Sequence, residues 1–303
     1  MLFRHESSSI VVCAPAKLNL FLNVLGKRAD GYHELETLML TIGFSDTLRF
    51  SPSHDGGISL QCHDLRSRRI RSHASEDALP NGPDNLVVRA ANLLRETTGT
   101  DQGAHIELFK RIPLAAGLAG GSTDAAATLL GLNRLWQLGL KIDQLHVLAA
   151  RLGSDVPFFL NSTGAAICRG RGELIEPLQF SSRLHFVIAR PFTGLSTALV
   201  FKHCRPAQVA WSARELADSL TRGRLRRAAD FLHNSLQEPA EQLNADVSRL
   251  KTAFSQQPFL GHLMSGSGTS YFGICQTRKQ ALHIAARLKA TRLGDVFVAQ
   301  NRP

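Results

Sequence analysis

The stretch Pro113–Asp124, PLAAGLAGGSTD, limits what this chain can fold into more than any other. It joins a strand-like run, residues 104–110, to the Ala- and Leu-rich run AAATLLGLNRLW, which reads as a packed helix. Gly117, Gly120 and Gly121 let the backbone between them turn tightly or approach something closely. Ser122 or Thr123 is expected to cap the helix, with Asp124 in its first turn, where negative charge is favoured. A glycine loop opening a helix leaves backbone N–H groups unpaired at the positive end of the dipole, a ready site for phosphate. The loop has neither the Gly-Lys-Ser/Thr of a Walker A loop nor the G-x-G-x-x-G of a dinucleotide fold. A turn that merely packs a helix on a strand is the other reading of the same residues.

Composition narrows the classes. With 303 residues, 44% hydrophobic and 20% charged, the chain reads as an ordinary globular protein of two domains. No apolar run reaches the ~18 residues of a membrane span; Lys17 and Asn19 interrupt the best candidate. The N-terminus shows no signal-peptide pattern. Five scattered cysteines without a C-x-x-C pair point to reduced thiols and a cytoplasmic location, not to a zinc site or disulfides. The net charge of +10 raises the question of nucleic acid. Its excess sits in two segments, Arg66, Arg68, Arg69 and Arg71, and Arg222, Arg224, Arg226 and Arg227, neither interleaved with aromatics. A solvated basic surface is the favoured reading and nucleic-acid binding is disfavoured. Steering of polyanionic substrates is the weaker functional alternative.

Taken in order, the chain predicts a short strand at Ser9–Cys13 that ends at Pro15. A second strand follows, in which Leu18, Leu20, Leu22 and Val24 face one way and Lys17, Asn19, Phe21 and Asn23 the other. Its polar face is expected to be solvated. RADGYH, residues 28–33, is a turn, and Glu36–Ile42, Thr47–Phe50 and residues 58–62 continue the sheet. Residues 64–83 read as a surface excursion, and Asp84 or Asn85 starts a helix running to about Thr97. Asp143 is expected to cap a helix that ends near Gly153, immediately before GSDVPFFL. From about residue 180 the pattern restarts. Strands are expected at 184–189, 262–264, 270–275 and 296–300, and helices at 197–202, 211–221, 225–232, 240–254 and 278–290. The domains are expected to span 1–178 and 179–303.

Three separated stretches, PAKLNL at 15–20, PLAAGLAGGSTDAA at 113–126 and LMSGSGTSYFGI at 263–274, resemble in order and spacing the three motifs of the GHMP kinases. These are small-molecule, ATP-dependent kinases. APAKLNLFLNVLGKRADGYHELETL, DNLVVRAANLL, LNRLWQLGL, LGSDVPFFL and TALVF extend the resemblance over nearly the whole chain. They match the branch that phosphorylates the 2-hydroxyl of a diphosphocytidyl-methylerythritol on the non-mevalonate route to isoprenoid precursors. The resemblance implies an α+β fold, with a ribosomal-protein-S5-like first domain, a ferredoxin-like second domain and a cleft between them for ATP and the alcohol.

It also implies roles. Asp155 matches the catalytic aspartate, which takes the acceptor's proton as the γ-phosphoryl group arrives; from the sequence alone it also reads as a helix-to-strand turn residue. Lys17 matches the catalytic lysine, paired with Asp155 and offsetting charge on the reacting oxygens. Pro113, Leu114, Ala115, Ala116, Gly117, Leu118, Ala119, Gly120, Gly121, Ser122 and Thr123 match the ATP phosphate loop, Ser122 being the contact to phosphate-bound Mg²⁺. The family loop is usually richer in glycine, and Ala115, Ala116 and Ala119 stand where glycine is common. Asn85 and Lys110 fall where the family meets adenine. Tyr32 and Phe201 match the aromatics that sandwich cytosine, with His33 on the base edge and Asn19 and Thr197 on the methylerythritol part. Ordinary core is the less favoured reading of Phe201.

The resemblance implies ATP and Mg²⁺ as cofactors, a small-molecule partner, and a monomer or homodimer. Two competing readings are a GHMP kinase for homoserine, mevalonate or a sugar, and a non-catalytic RNA-binding protein of the same fold. RADGYH with Phe201 argues against the first, and intact Lys17 and Asp155 against the second.

Overall fold

Two long strands, Ser9–Lys27 (β2) and His33–Ser53 (β3), organise the molecule. The computed structural model describes residues 1–6, 8–66, 79–160, 164–179, 182–206 and 209–301. β2 and β3 pair antiparallel across the RADGYH turn along almost their full length. The expected break at Pro15 is absent. The strand runs on, and register shifts between Pro15 and Lys17, and between Asn19 and Phe21, absorb the irregularity as bulges do.

Leu2–Glu6 (β1) flanks β2. One half of β3 pairs with Gly103–Lys110 (β5), whose parallel neighbour is Ile58–Asp64 (β4). The other half pairs with Ala165–Gly170 (β6), followed by Leu174–Leu178 (β7). The second sheet has the order Gly261–Met264 (β10), Tyr271–Cys275 (β11), His185–Arg190 (β8), Asp295–Gln300 (β12), antiparallel throughout. A two-residue strand, His233–Asn234 (β9), returns from the second half of the chain to pair with β2 at Phe21 and Leu22.

The helices Leu86–Thr98 (α1), Gly120–Leu135 (α2) and Ile142–Leu152 (α3), with the 3-10 turn Pro157–Leu160, cover the outer face of the first sheet. The strand period of two then builds the rest. Phe186 and Ile188 of β8 point to one side and join Leu18, Leu20, Leu40 and Ile42 of the first sheet in a core between the sheets. Val187 and Ala189 point to the other side, where Ala245–Ser255 (α8) and Arg278–Ala290 (α9) contribute Leu250, Phe254, Ile284 and Leu288. The remaining helices are Thr197–His203 (α4), Ala213–Thr221 (α5), Leu225–Asp230 (α6) and Gln237–Leu243 (α7).

Several expectations shift. The helix expected over 240–254 is two, because Asn244 leaves helical geometry at φ −143° and its side chain caps α8 by accepting from the Asp246 N–H at 2.9 Å. Asp143 lies in the first turn of α3; the capping contact there is Gln144 accepting from the Lys141 N–H. Of the first arginine cluster, Arg66 is buried against Asp64 at 2.9 Å, not solvated. Arg68, Arg69 and Arg71 lie outside the described residues. Arg222, Arg224, Arg226 and Arg227 are exposed, as a solvated patch should be. Among the described residues, no helix is long and apolar enough to cross a membrane, and all five cysteines are unpaired.

Candidate active site

The polar face of β2 is not solvated. Lys17, Asn19 and Asn23 are all under a tenth exposed, because the 265–270 turn of the second sheet closes over Lys17 and Asn19, and Ser235 donates its hydroxyl to Asn23 Oδ1 at 3.1 Å. The Asn19 N–H donates to Ser265 Oγ at 3.2 Å, and that hydroxyl donates to the carbonyl of Gly117 in the glycine loop at 2.9 Å. The Lys17 N–H donates to the Leu118 carbonyl and the Ser270 N–H to the Ala116 carbonyl. Asn234 Nδ2 holds the turn from behind by donating to the carbonyls of Met264 and Gly266, each at 2.8 Å. Arg190, fully buried in β8, donates to the Leu114 carbonyl at 3.1 Å. The three stretches singled out in the sequence thus meet at one place, interlocked mostly through the backbone.

They frame a cleft of about 1100 Å³. At its centre Lys17 Nζ lies 3.5 Å from Asp155 Oδ2 and also donates to Asn19 Oδ1, whose amide donates in turn to Thr37 Oγ1 at 2.8 Å. Asp155 sits on the turn between α3 and the 3-10 helix, its side chain one third exposed, so one side of the carboxylate faces the cleft. An ammonium beside a half-open carboxylate can accept a hydroxyl, take its proton and offset the charge that develops.

The glycine loop forms one wall. Its helix begins at Gly120, with Ala119 at the cap position and no side-chain cap bond. Ser122 and Thr123 are therefore inside the first turn, contrary to the expected capping. Ala115 and Ala119 adopt φ of 46° and 56°, the left-handed region that glycine usually fills. Ser122 lines the cleft; Leu118 and Thr123 are buried behind it.

At the far end stand Tyr32, His33 and Phe201. The rings of His33 and Phe201 lie 5.1 Å apart, and the guanidinium of Arg171 lies 4.6 Å over the half-exposed ring of Tyr32. Asp30 shapes this corner by accepting from the Tyr32 N–H at 3.1 Å. Burial, with Lys27 adding to it, lowers the His33 pKa below the usual imidazole range, which favours a neutral ring able to donate and accept. Thr197 Oγ1 shares a hydrogen bond with Ser267 Oγ at 2.8 Å on the same wall.

The cleft lining carries Lys17, Lys27, Arg171 and Lys202 against one carboxylate, Asp155, a balance that suits polyanions. Of these, Lys27, Arg171 and Lys202 were not singled out by sequence reasoning, nor were Ser265, Asn234 and Arg190. The spacing of SGSGTS marks a turn but does not say what the turn touches.

The side chains of the two expected adenine contacts, Asn85 and Lys110, are engaged away from the cleft. Asn85 spends its side chain capping α1, accepting from the Val87 N–H and donating to the Pro80 carbonyl. Lys110 is 1% exposed and holds Asp46 at 2.6 Å and Asp124 at 2.5 Å. Neither side chain lines the cleft. Asp124 is accordingly no surface dipole partner. Burial pushes its carboxyl above the usual carboxylate range, against the pull of Lys110, while Asp124 and Asp46 raise the Lys110 pKa against burial.

Family models match the chain in both halves: the GHMP kinases N terminal domain over residues 85–163, and the GHMP kinases C terminal domain over residues 214–292. The 4-diphosphocytidyl-2-C-methyl-D-erythritol kinase of Pelotomaculum thermopropionicum is 42% identical over 285 residues, 93% of this chain and 94% of the relative. That of Shouchella clausii is 40% identical over 272 residues, 89% of this chain and 87% of the relative. The chain belongs to the 4-diphosphocytidyl-2-C-methyl-D-erythritol kinase family of GHMP kinases. A crystal structure of 4-(cytidine 5'-diphospho)-2C-methyl-D-erythritol kinase superposes with a TM-score of 0.78 at 34% identity, covering 97% of this chain and 99% of that one. The two-sheet architecture is thus the GHMP-kinase two-domain fold, and the protein is a small-molecule kinase with ATP as co-substrate.

Proposed function

We propose that this kinase transfers the γ-phosphoryl group of ATP to the 2-hydroxyl of 4-diphosphocytidyl-2-C-methyl-D-erythritol, in the cytoplasm, as a step toward isoprenoid precursors. The observation that carries the reading is the layout of one cleft, with a glycine loop at one wall, the Lys17–Asp155 pair at the centre and the Tyr32–His33–Phe201 corner beyond it. A long substrate with a base at one end and an alcohol at the other fits such a sequence of sites. The same reading divides the chain at residue 178, between β7 and β8.

In this reading Asp155 takes the proton of the acceptor hydroxyl, and Lys17 offsets charge on the reacting oxygens. The loop from Pro113 to Ser122 receives the triphosphate on its backbone N–H groups. Ser122 presents a hydroxyl to the cleft, a hard oxygen donor that suits Mg²⁺. When bound, Mg²⁺ would neutralise phosphate charge. Asn19 and Thr197 face the methylerythritol part, and Tyr32, His33 and Phe201 take the cytosine.

Tyr32→Ala tests the base corner. Loss of one stacking face, about 1–3 kcal/mol, is expected to raise the KM for the cytidyl substrate about 5- to 150-fold while sparing the KM for ATP. Equal handling of the cytidyl substrate by both proteins would place the base elsewhere.

A further inference from the structure

We infer that Lys110 is a positioning residue for the phosphate loop, its ammonium tying the strand that enters the loop and the helix that leaves it to one buried anchor, Asp46. Lys110 is the last residue of β5, three positions before Pro113. Its Nζ donates to Asp46 Oδ2 at 2.6 Å and to Asp124 Oδ2 at 2.5 Å. The second oxygen of Asp46 accepts from the backbone N–H groups of Arg111, at 2.5 Å, and Ile112, at 2.8 Å, the two residues that lead into the loop. Asp124 belongs to the helix that leaves it. The loop is therefore held at both ends by one three-residue cluster.

Its underside rests on the same group. A Cβ at Gly120 would stand 2.9 Å from Lys110 Nζ and 2.8 Å from Ile112 Cγ2, so the first residue of α2 sits directly over the ammonium. The side chains of all three charged residues are 3% exposed or less, and none reaches the cleft. Burying three charges is an expensive way to gain stability, since apolar side chains of similar volume often serve as well. Here the charges join two backbone segments whose spacing must match a triphosphate. An ammonium sees direction and distance where a methyl group sees only volume.

The inference rests on the reading of residues 113–122 as the ATP phosphate loop, so the test includes a variant that addresses that reading alone. Calorimetric titration with magnesium-ATP is made on the wild type, Asp124→Asn, Asp124→Ala, Lys110→Met and Ser122→Glu, reading Kd and stoichiometry separately. Graded losses of ATP affinity are expected, small for Asp124→Asn, where the amide oxygen still accepts, and rising to about 10- to 100-fold for Asp124→Ala and Lys110→Met. The KM for the alcohol is expected to stay within about twofold. Should Lys110→Met not fold, the two Asp124 variants decide. A purely structural role would lower the stoichiometry and leave Kd unchanged in the folded fraction, and that result overturns the inference. Unchanged affinity in Ser122→Glu, which puts a carboxylate where phosphate should lie, would instead remove the nucleotide from the loop, and the inference with it.

Discussion

Asp155→Asn is expected to fold normally, bind ATP with near-native affinity and lose about 10²–10⁴-fold in kcat, the usual size of a general-base contribution. The substitution keeps shape and removes only the capacity to take a proton. Its side chain is one third exposed at a turn, so the fold does not depend on its charge. Lys17 is not stranded by the change, because Asn19 also accepts from its ammonium. Single-turnover measurement of phosphoryl transfer, with circular dichroism to confirm the fold, decides the matter. Near-wild-type turnover would remove Asp155 from the mechanism and leave Lys17 to orient substrate alone.

Gly117→Ala is expected to have an effect of similar size for a different reason. A Cβ at this position would lie 2.0 Å from the carbonyl oxygen of Ser265 and 3.1 Å from that of Gly268, both backbone atoms with no rotamer to move. Its φ of +70° adds a penalty, but a bearable one. A left-handed non-glycine residue costs about 1–2 kcal/mol, and the chain already carries Ala115 and Ala119 in that region. The collision decides. Relieving it means separating the glycine loop from the 265–270 turn, and an ångström of misplacement there is worth about 100-fold in kcat/KM. Ala115→Gly, which adds no atom, is the matched control and is expected to keep activity. Full activity in Gly117→Ala would show that the two loops need not touch for catalysis.

Much of this was legible before any coordinates, and what escaped did so for identifiable reasons. The alternation in β2 put Lys17 and Asn19 on one face, but nothing local says that a turn 246 residues further on, at Ser265, would bury that face. Phe21 was assigned to the same polar face and is fully buried, because the register shift after Asn19 changes the pairing within two residues. The glycine loop was recognisable from Gly117, Gly120 and Gly121, whereas Ala115 and Ala119 stood out only because they occupy positions where the family commonly carries glycine. Alanine carries no signal for positive φ, and tertiary contacts impose it here. Lys110 was placed by its position in the motif as an adenine contact. Its actual partner, Asp46, is 64 residues away on β3, and only the pairing of β3 with β5 brings the two together. Arg171 entered through a cation–π contact to Tyr32 that joins the β6–β7 hairpin to the β2–β3 turn.

The central claim is that one cleft reads a cytidine at one end and phosphorylates an alcohol at the other. The most direct measurement is ATP consumption by the purified protein against a panel of acceptors: 4-diphosphocytidyl-2-C-methyl-D-erythritol, the methylerythritol phosphate fragment lacking cytidine, homoserine, mevalonate and a hexose. The account predicts rapid turnover with the cytidyl substrate, phosphorylated at its 2-hydroxyl, and kcat/KM lower by about 100-fold or more with each of the others, since binding energy at the base is what orients the distant hydroxyl. Comparable turnover of the fragment, or preference for homoserine, mevalonate or the hexose, would contradict it.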